Sequence, residues 1–80
     1  KQYINIAFSA FEWDEVIRGI KKADEAGLKD DGKFALMKGI AYFEKKSITN
    51  AKNSFIEASN SKEYKDQGIA WLEYLEALNG

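Results

Sequence analysis

The fold turns on Gly39-Ile40-Ala41-Tyr42, followed by Ala51-Lys52-Asn53-Ser54-Phe55 and then Ala58. A small residue and a ring share one face of a first segment, and small, ring and small share one face of the next. Steps of three and four residues align side chains along a helix rather than a strand. A glycine in mid-helix costs about 1 kcal/mol against alanine. Close backbone approach by the partner helix is the expected compensation.

Residues 33–46 are apolar on two sides. Leu36, Ile40 and Phe43 form one stripe, and Ala35, Gly39 and Tyr42 form another. An amphipathic surface helix needs only one buried stripe, so this helix is expected to lie between neighbours. Ser47 is placed to cap a helix over 48–59 with the stripe Ile48, Ala51, Phe55 and Ala58. Ser59-Asn60-Ser61 breaks the pattern. A last helix over 62–79 carries Ile69, Trp71, Leu72, Leu75 and Leu78 and stops at Asn79-Gly80.

Toward the N-terminus, the linker Gly27-Leu28-Lys29-Asp30-Asp31-Gly32 is polar and bracketed by glycines, with Asp31 as a cap for the helix over 33–46. Before it, residues 13–26 carry the stripe Trp13, Val16, Ile17, Ile20 and Ala23. Gly27 ends that helix, and Leu28 is the apolar residue that commonly comes after a left-handed glycine. Residues 1–11 hold Tyr3, Ile4, Ala7, Phe8 and Phe11, another helical stripe. The expectation is therefore an all-α chain of five helices, with no proline anywhere to interrupt them.

A shift of 35 residues lays Trp13 on Ile48, Val16 on Ala51, Ile20 on Phe55, Ala23 on Ala58 and Ala7 on Tyr42. The character of the positions repeats more than their identity. The pattern G-x2-Y…A-x3-F, with a period near 34, resembles the tetratricopeptide repeat. The resemblance implies a right-handed solenoid of helical hairpins. Residues 1–31 would be a degenerate repeat, 32–61 a second repeat and 62–80 a capping helix, together one domain cut from a longer protein. Val16, Ile20, Ala23, Gly39, Tyr42, Ala51, Phe55 and Ala58 would be its packing positions. Departures are plain: Ala35 and Lys38 stand in the early Trp and Leu slots, Glu63 in the closing Pro slot, and Ala7 and Val16 in the ring and small slots of the first repeat. A generic small helical bundle, with the same stripes as its core, is the alternative.

The phrases Gly27-Leu28-Lys29-Asp30, Lys38-Gly39-Ile40-Ala41-Tyr42-Phe43 and Ala70-Trp71-Leu72-Glu73-Tyr74-Leu75-Glu76 are similar to the ends of Gram-negative bacterial members of this family. Some of those are encoded beside TonB-type components. That likeness implies a bacterial scaffold protein, periplasmic or cytoplasmic.

In this family the first helix of each repeat lines a concave groove that holds a partner's peptide or helix. Carried over, the groove would receive Asn5, Phe8 and Ser9 from the first helix and Lys33, Leu36, Ile40, Phe43 and Glu44 from the third. One subset of the family clamps a C-terminal carboxylate with a set of basic and amide groups. Lys1 and Asn5 have the first spacing, but Met37, Gln67 and Trp71 stand where further clamp groups belong, so no clamp is expected. Two functions stay open: a scaffold that binds a partner protein or peptide, or a structural cap or oligomerisation module of a longer solenoid. Loss of upstream repeats would expose the region of Tyr3 and Ile6 and lead the isolated chain to self-associate.

Composition narrows the rest. The 80 residues make one small domain, and 45% apolar content suffices for a core. The net charge of −1 argues against a nucleic-acid partner, and Lys21-Lys22 and Lys45-Lys46 read as solvated pairs. No apolar run is long enough to insert in a membrane. With neither His nor Cys, nucleophile–imidazole catalysis and thiolate or imidazole metal sites are excluded within these residues. Glu12, Asp14 and Glu15 suit a helix N-terminus electrostatically. Glu73 and Glu76 have the spacing of any solvated helix face, and the glycines at 27 and 32 lack a phosphate-loop continuation. No catalytic residue, metal site or cofactor is expected, and no enzyme activity.

Overall fold

Every apolar stripe that falls in the described region becomes a helix. The structure is a computed structural model that describes residues 12–28 and 32–79. Among these residues there are four helices and no strand: α1, Trp13–Glu25; α2, Lys33–Glu44; α3, Ile48–Ser59; and α4, Lys65–Asn79. The helix expected over 1–11 and the cap expected at Asp31 lie outside the described residues. The described helices therefore number four where five were expected for the chain.

Helix α1 ends as the sequence suggests. Gly27 takes φ +80°, Leu28 N–H donates to the Ala23 carbonyl at 2.9 Å, and Gly27 N–H donates to Asp24 at 3.0 Å. These two bonds satisfy carbonyls that a bare helix end leaves open. Helix α2 ends in the same way but without a glycine. Ser47 N–H reaches Tyr42 at 2.8 Å, Lys46 N–H reaches Phe43 at 2.9 Å, and Lys46 holds φ 64°.

Helix α2 is the middle of the molecule. One side, Phe34, Met37 and Ala41, packs on Val16, Ile17, Ile20 and Ala23 of α1. The other side, Leu36, Ile40 and Phe43, borders a second core of Ala51, Phe55 and Leu75, joined by Ile48, Trp71 and Leu72. Tyr42 touches both cores. The expectation of a helix between neighbours is met, but with a different set of residues toward α1. Phe34, Met37 and Ala41 formed no part of either stripe read from the sequence.

The two helices of the 33–59 stretch meet around one ring. Phe55 is fully buried. An added Cβ at Gly39 would lie 2.5 Å from Phe55 Cε1, so the ring occupies the space a side chain would need. On the far side of α3, Gly68 brings α4 against backbone: a Cβ there would lie 2.6 Å from Ser59 N and 2.9 Å from the Phe55 carbonyl oxygen.

Three local expectations are corrected. Ser47 occupies the position before α3, but its hydroxyl bonds no backbone N–H; it accepts from the Asn50 side-chain amide at 3.0 Å. The last helix begins at Lys65 rather than 62. Ser61 Oγ donates to the Ala58 carbonyl at 2.8 Å and accepts from Tyr64 N–H at 3.0 Å, which holds residues 61–64 in a bend. On α4 the buried positions are Gly68 and Leu75, whereas Ile69 and Leu78 are exposed. The approach of backbone at Gly68 sets this rotation, because the face carrying the glycine is the one that can come closest.

The glycines and Lys46 can each be tested by substitution. A methyl group at Gly39 meets a side-chain ring that can yield partly, whereas one at Gly68 meets backbone that cannot. Gly68→Ala should lower stability more than Gly39→Ala, the latter by about 1–2 kcal/mol after the helix-propensity gain; thermal unfolding followed by circular dichroism ranks them. Lys46→Gly should raise stability by about 1 kcal/mol, because a left-handed L residue carries a steric cost that glycine lacks. An unchanged or lower urea midpoint would contradict it.

Candidate functional site

Trp71 ties the second core to the surface. Its ring stacks on Phe55 with centroids 5.0 Å apart and planes within 5°. One helical turn along, Tyr74 stands edge-on to Trp71 at 5.8 Å and 85°. Phe43, from the last turn of α2, meets Trp71 at 5.4 Å and Tyr74 at 5.8 Å. Edge-to-face arrangements of this kind are favoured by the ring quadrupoles. The three rings thus form one contiguous aromatic wall bridging α2 and α4.

Beside that wall lies an open cleft of about 450 Å³ lined by Phe43, Glu44, Ala70, Trp71 and Tyr74. Trp71 and Phe43 are half-buried, and Tyr74 is 49% exposed. Glu44 is exposed at the rim. Chemically the cleft offers aromatic surface, one carboxylate and one phenol hydroxyl. A second groove of about 550 Å³ lies on the opposite flank of α4, between α3 and α4, lined by Ile48, Lys52, Ile56, Leu72, Leu75 and Glu76. Its floor is aliphatic.

Of the groove residues expected from sequence, Phe43 and Glu44 come together in the aromatic cleft. Leu36 and Ile40 lie on the same helix, half-buried against the second core. Lys33 starts that helix, about 16 Å along its axis from Glu44, and does not line the cleft. Asn5, Phe8 and Ser9 lie outside the described residues. Of the expected packing positions, Val16, Ile20, Ala23, Gly39, Ala51, Phe55 and Ala58 are buried and Tyr42 is half-buried. The sequence reading missed Ala70, Trp71 and Tyr74 as cleft residues. The signal lies in the spacing of Trp71 and Tyr74, about one helical turn, but a stripe of aliphatic and aromatic positions assigns Trp71 to the core and passes over Tyr74.

Charges fix the ends of α1 and α2. Asp14 bonds Lys45, joining the first turn of α1 to the residue just after α2. Arg18 bonds Glu15 one turn back. Lys38 lies 3.8 Å from Glu57, a loose pair linking α2 to α3. The bond from Lys45, and then its positive charge, hold the Asp14 carboxyl below the usual carboxylate range, with Arg18 adding to the effect. The acidic first turn of α1 is thereby accounted for as structure.

Among the described residues no helix is long and apolar enough to cross a membrane, and no three Asp or Glu side chains converge as metal donors. Compared with known families, with curated proteins and with solved structures, the chain matches none.

The Asp14–Lys45 pair gives a pH signature. A carboxyl whose folded pKa is depressed contributes stability above its unfolded pKa and loses that contribution as pH falls through the folded value. The urea midpoint of Asp14→Asn should therefore lie below that of the wild-type chain at pH 7. The difference should begin to shrink near about pH 4, where the unfolded carboxyl protonates, and close as pH falls through the lower folded value; it should also shrink in salt. A difference independent of pH would show that the pair contributes nothing through charge.

Proposed function

We propose that this chain is part of a tetratricopeptide-like array of helical hairpins, and that it binds an extended or helical segment of a partner protein along α2 and α4 without catalysing a reaction. The observation that carries this reading is the aromatic cleft of Phe43, Trp71 and Tyr74 between those two helices. Rings of this size supply large contact area at small entropic cost, which is why they recur where proteins anchor other proteins. Two further features support the array. Helix α2 is covered on both sides, as an inner helix would be, and Gly39 receives the ring of Phe55 where the repeat pattern pairs a small residue with a ring.

The second reading is a structural cap. It would fit complete burial of Ile40 and Phe43, but both are half-buried. A capping helix also presents a polar outer face, whereas α4 leaves Ile69, Tyr74 and Leu78 exposed. Both observations favour the binding module.

The test is selection from a random dodecapeptide library displayed on phage, with the wild-type chain and Phe43→Ser and Tyr74→Ala variants as targets. Peptides selected by the wild type should bind each variant at least about tenfold more weakly, the loss of a buried aromatic anchor, while far-ultraviolet circular dichroism shows both variants folded. Equal binding by wild type and folded variants would remove the cleft from the function.

A further inference from the structure

We propose that the cleft of Phe43, Glu44, Trp71 and Tyr74 is an arginine-binding site, the anchor point for one arginine side chain of the partner segment. This rests on the reading of the cleft as a peptide groove and names the chemistry of its occupant. Three observations converge on a cation. The walls are aromatic, and the electron-rich face of Trp or Tyr attracts a cation lying within about 6 Å of the ring centroid. Glu44 lines the same cleft, is exposed, and has no ion pair or hydrogen bond among the described residues. The cleft also lies at the C-terminal end of α2, where the helix dipole is negative and the last turn holds no basic residue. Lys45, the next residue, is engaged with Asp14.

The arrangement of the rings selects among cations. A cage for a quaternary ammonium surrounds its ligand with rings held apart. Here the rings touch one another, with centroids 5.4–5.8 Å apart, so no cation fits between them. They form a wall, and an open cleft lies against it. The rings are tilted 59–85° to one another, so a planar guanidinium would lie flat on one ring face of the wall while its edge donates two N–H bonds to one carboxylate. A lysine ammonium has no plane to stack and holds its hydration more tightly. Tyr74, half exposed and lining the same cleft, adds a phenol hydroxyl with no hydrogen bond among the described residues.

The experiment is a titration of the ¹⁵N-labelled chain with N-acetyl-arginine methylamide, its citrulline analogue and its lysine analogue, monitored by ¹H–¹⁵N correlation spectra. The expected result is saturable movement of the Trp71 indole N–H and of the Phe43, Glu44 and Tyr74 amides with the arginine probe. Citrulline has the same shape without the charge and should bind at least about fivefold more weakly, on the scale of an exposed ion pair; the lysine probe keeps the charge but lacks the planar stacking and paired N–H bonds and should also bind more weakly. Glu44→Gln, an exposed and conservative change, should weaken the arginine probe to the same degree and leave citrulline unaffected. Equal response to arginine and citrulline, no effect of Glu44→Gln, or movement away from the cleft would overturn the proposal. Library-selected peptides separate it from the groove reading. If they bind the cleft but tolerate arginine-to-citrulline replacement, the arginine site fails and the groove stands. If the arginine probe occupies the cleft with Glu44 dependence but no peptide does, the site stands and the groove reading fails.

Discussion

The fully buried ring of Phe55 is the constraint on which the rest of this structure depends. On one side it takes the space that Gly39 leaves empty, which sets how near α3 can come to α2. On another it stacks against Trp71, while its own carbonyl lies close beneath Gly68 of α4. One residue thus fixes two helix–helix distances. Because interiors are packed without slack, a change in the position of that ring would be passed to Trp71, and through Trp71 to the Phe43–Tyr74 wall at the surface. The aromatic wall is held in place by the same packing that fills the core.

Two kinds of residue divide what is legible in the sequence from what is not. The stripe of α1 is legible in the sequence: Val16, Ile17, Ile20 and Ala23 are buried against one neighbour, and Trp13 is half-buried beside them. A close approach at Gly39 was legible because a mid-helix glycine is costly without one, but the sequence pointed to backbone there, and what fills the space is the side-chain ring of Phe55. Helix α2 was harder. Apart from Lys33, Lys38 and Glu44 its residues are apolar or glycine, so periodicity could say that it has two covered sides but could not assign Phe34, Met37 and Ala41 to α1. Helix α4 was hardest. Its rotation follows the close approach at Gly68, a residue with no side chain to enter a hydrophobic pattern, so the apolar stripe includes Ile69 and Leu78, which lie exposed. The cleft was half-legible for that reason: its α2 wall was anticipated and its α4 wall was not.

The turn after α2 shows how local strain and charge are arranged around the cleft. Lys46 accepts a left-handed conformation so that two backbone N–H groups can close the helix end. That closure turns the chain sharply into α3, whose Phe55 is needed against Gly39. Lys45, just before it, reaches back to Asp14 and ties α1 to the same corner. The two lysines therefore have separate physical roles, one conformational and one electrostatic. With Lys45 engaged away from the cleft, the carboxylate of Glu44 stands at its rim with no cation paired to it among the described residues.

The two flanks of α4 differ in what they could recognise. The groove toward α3 is floored by Ile48, Ile56, Leu72 and Leu75, with Lys52 and Glu76 at its rim. Aliphatic contact is non-directional and scales with area, so such a surface accepts any apolar helix of suitable shape and distinguishes poorly among them. The flank toward α2 presents ring faces and edges with defined polarity beside one carboxylate. Those groups reward one orientation and one charge sign, and they leave a wrong occupant with an unpaired charge or an unfilled wall. Under the proposed reading, selectivity would belong to the aromatic flank, where Trp71 is backed by the buried ring of Phe55.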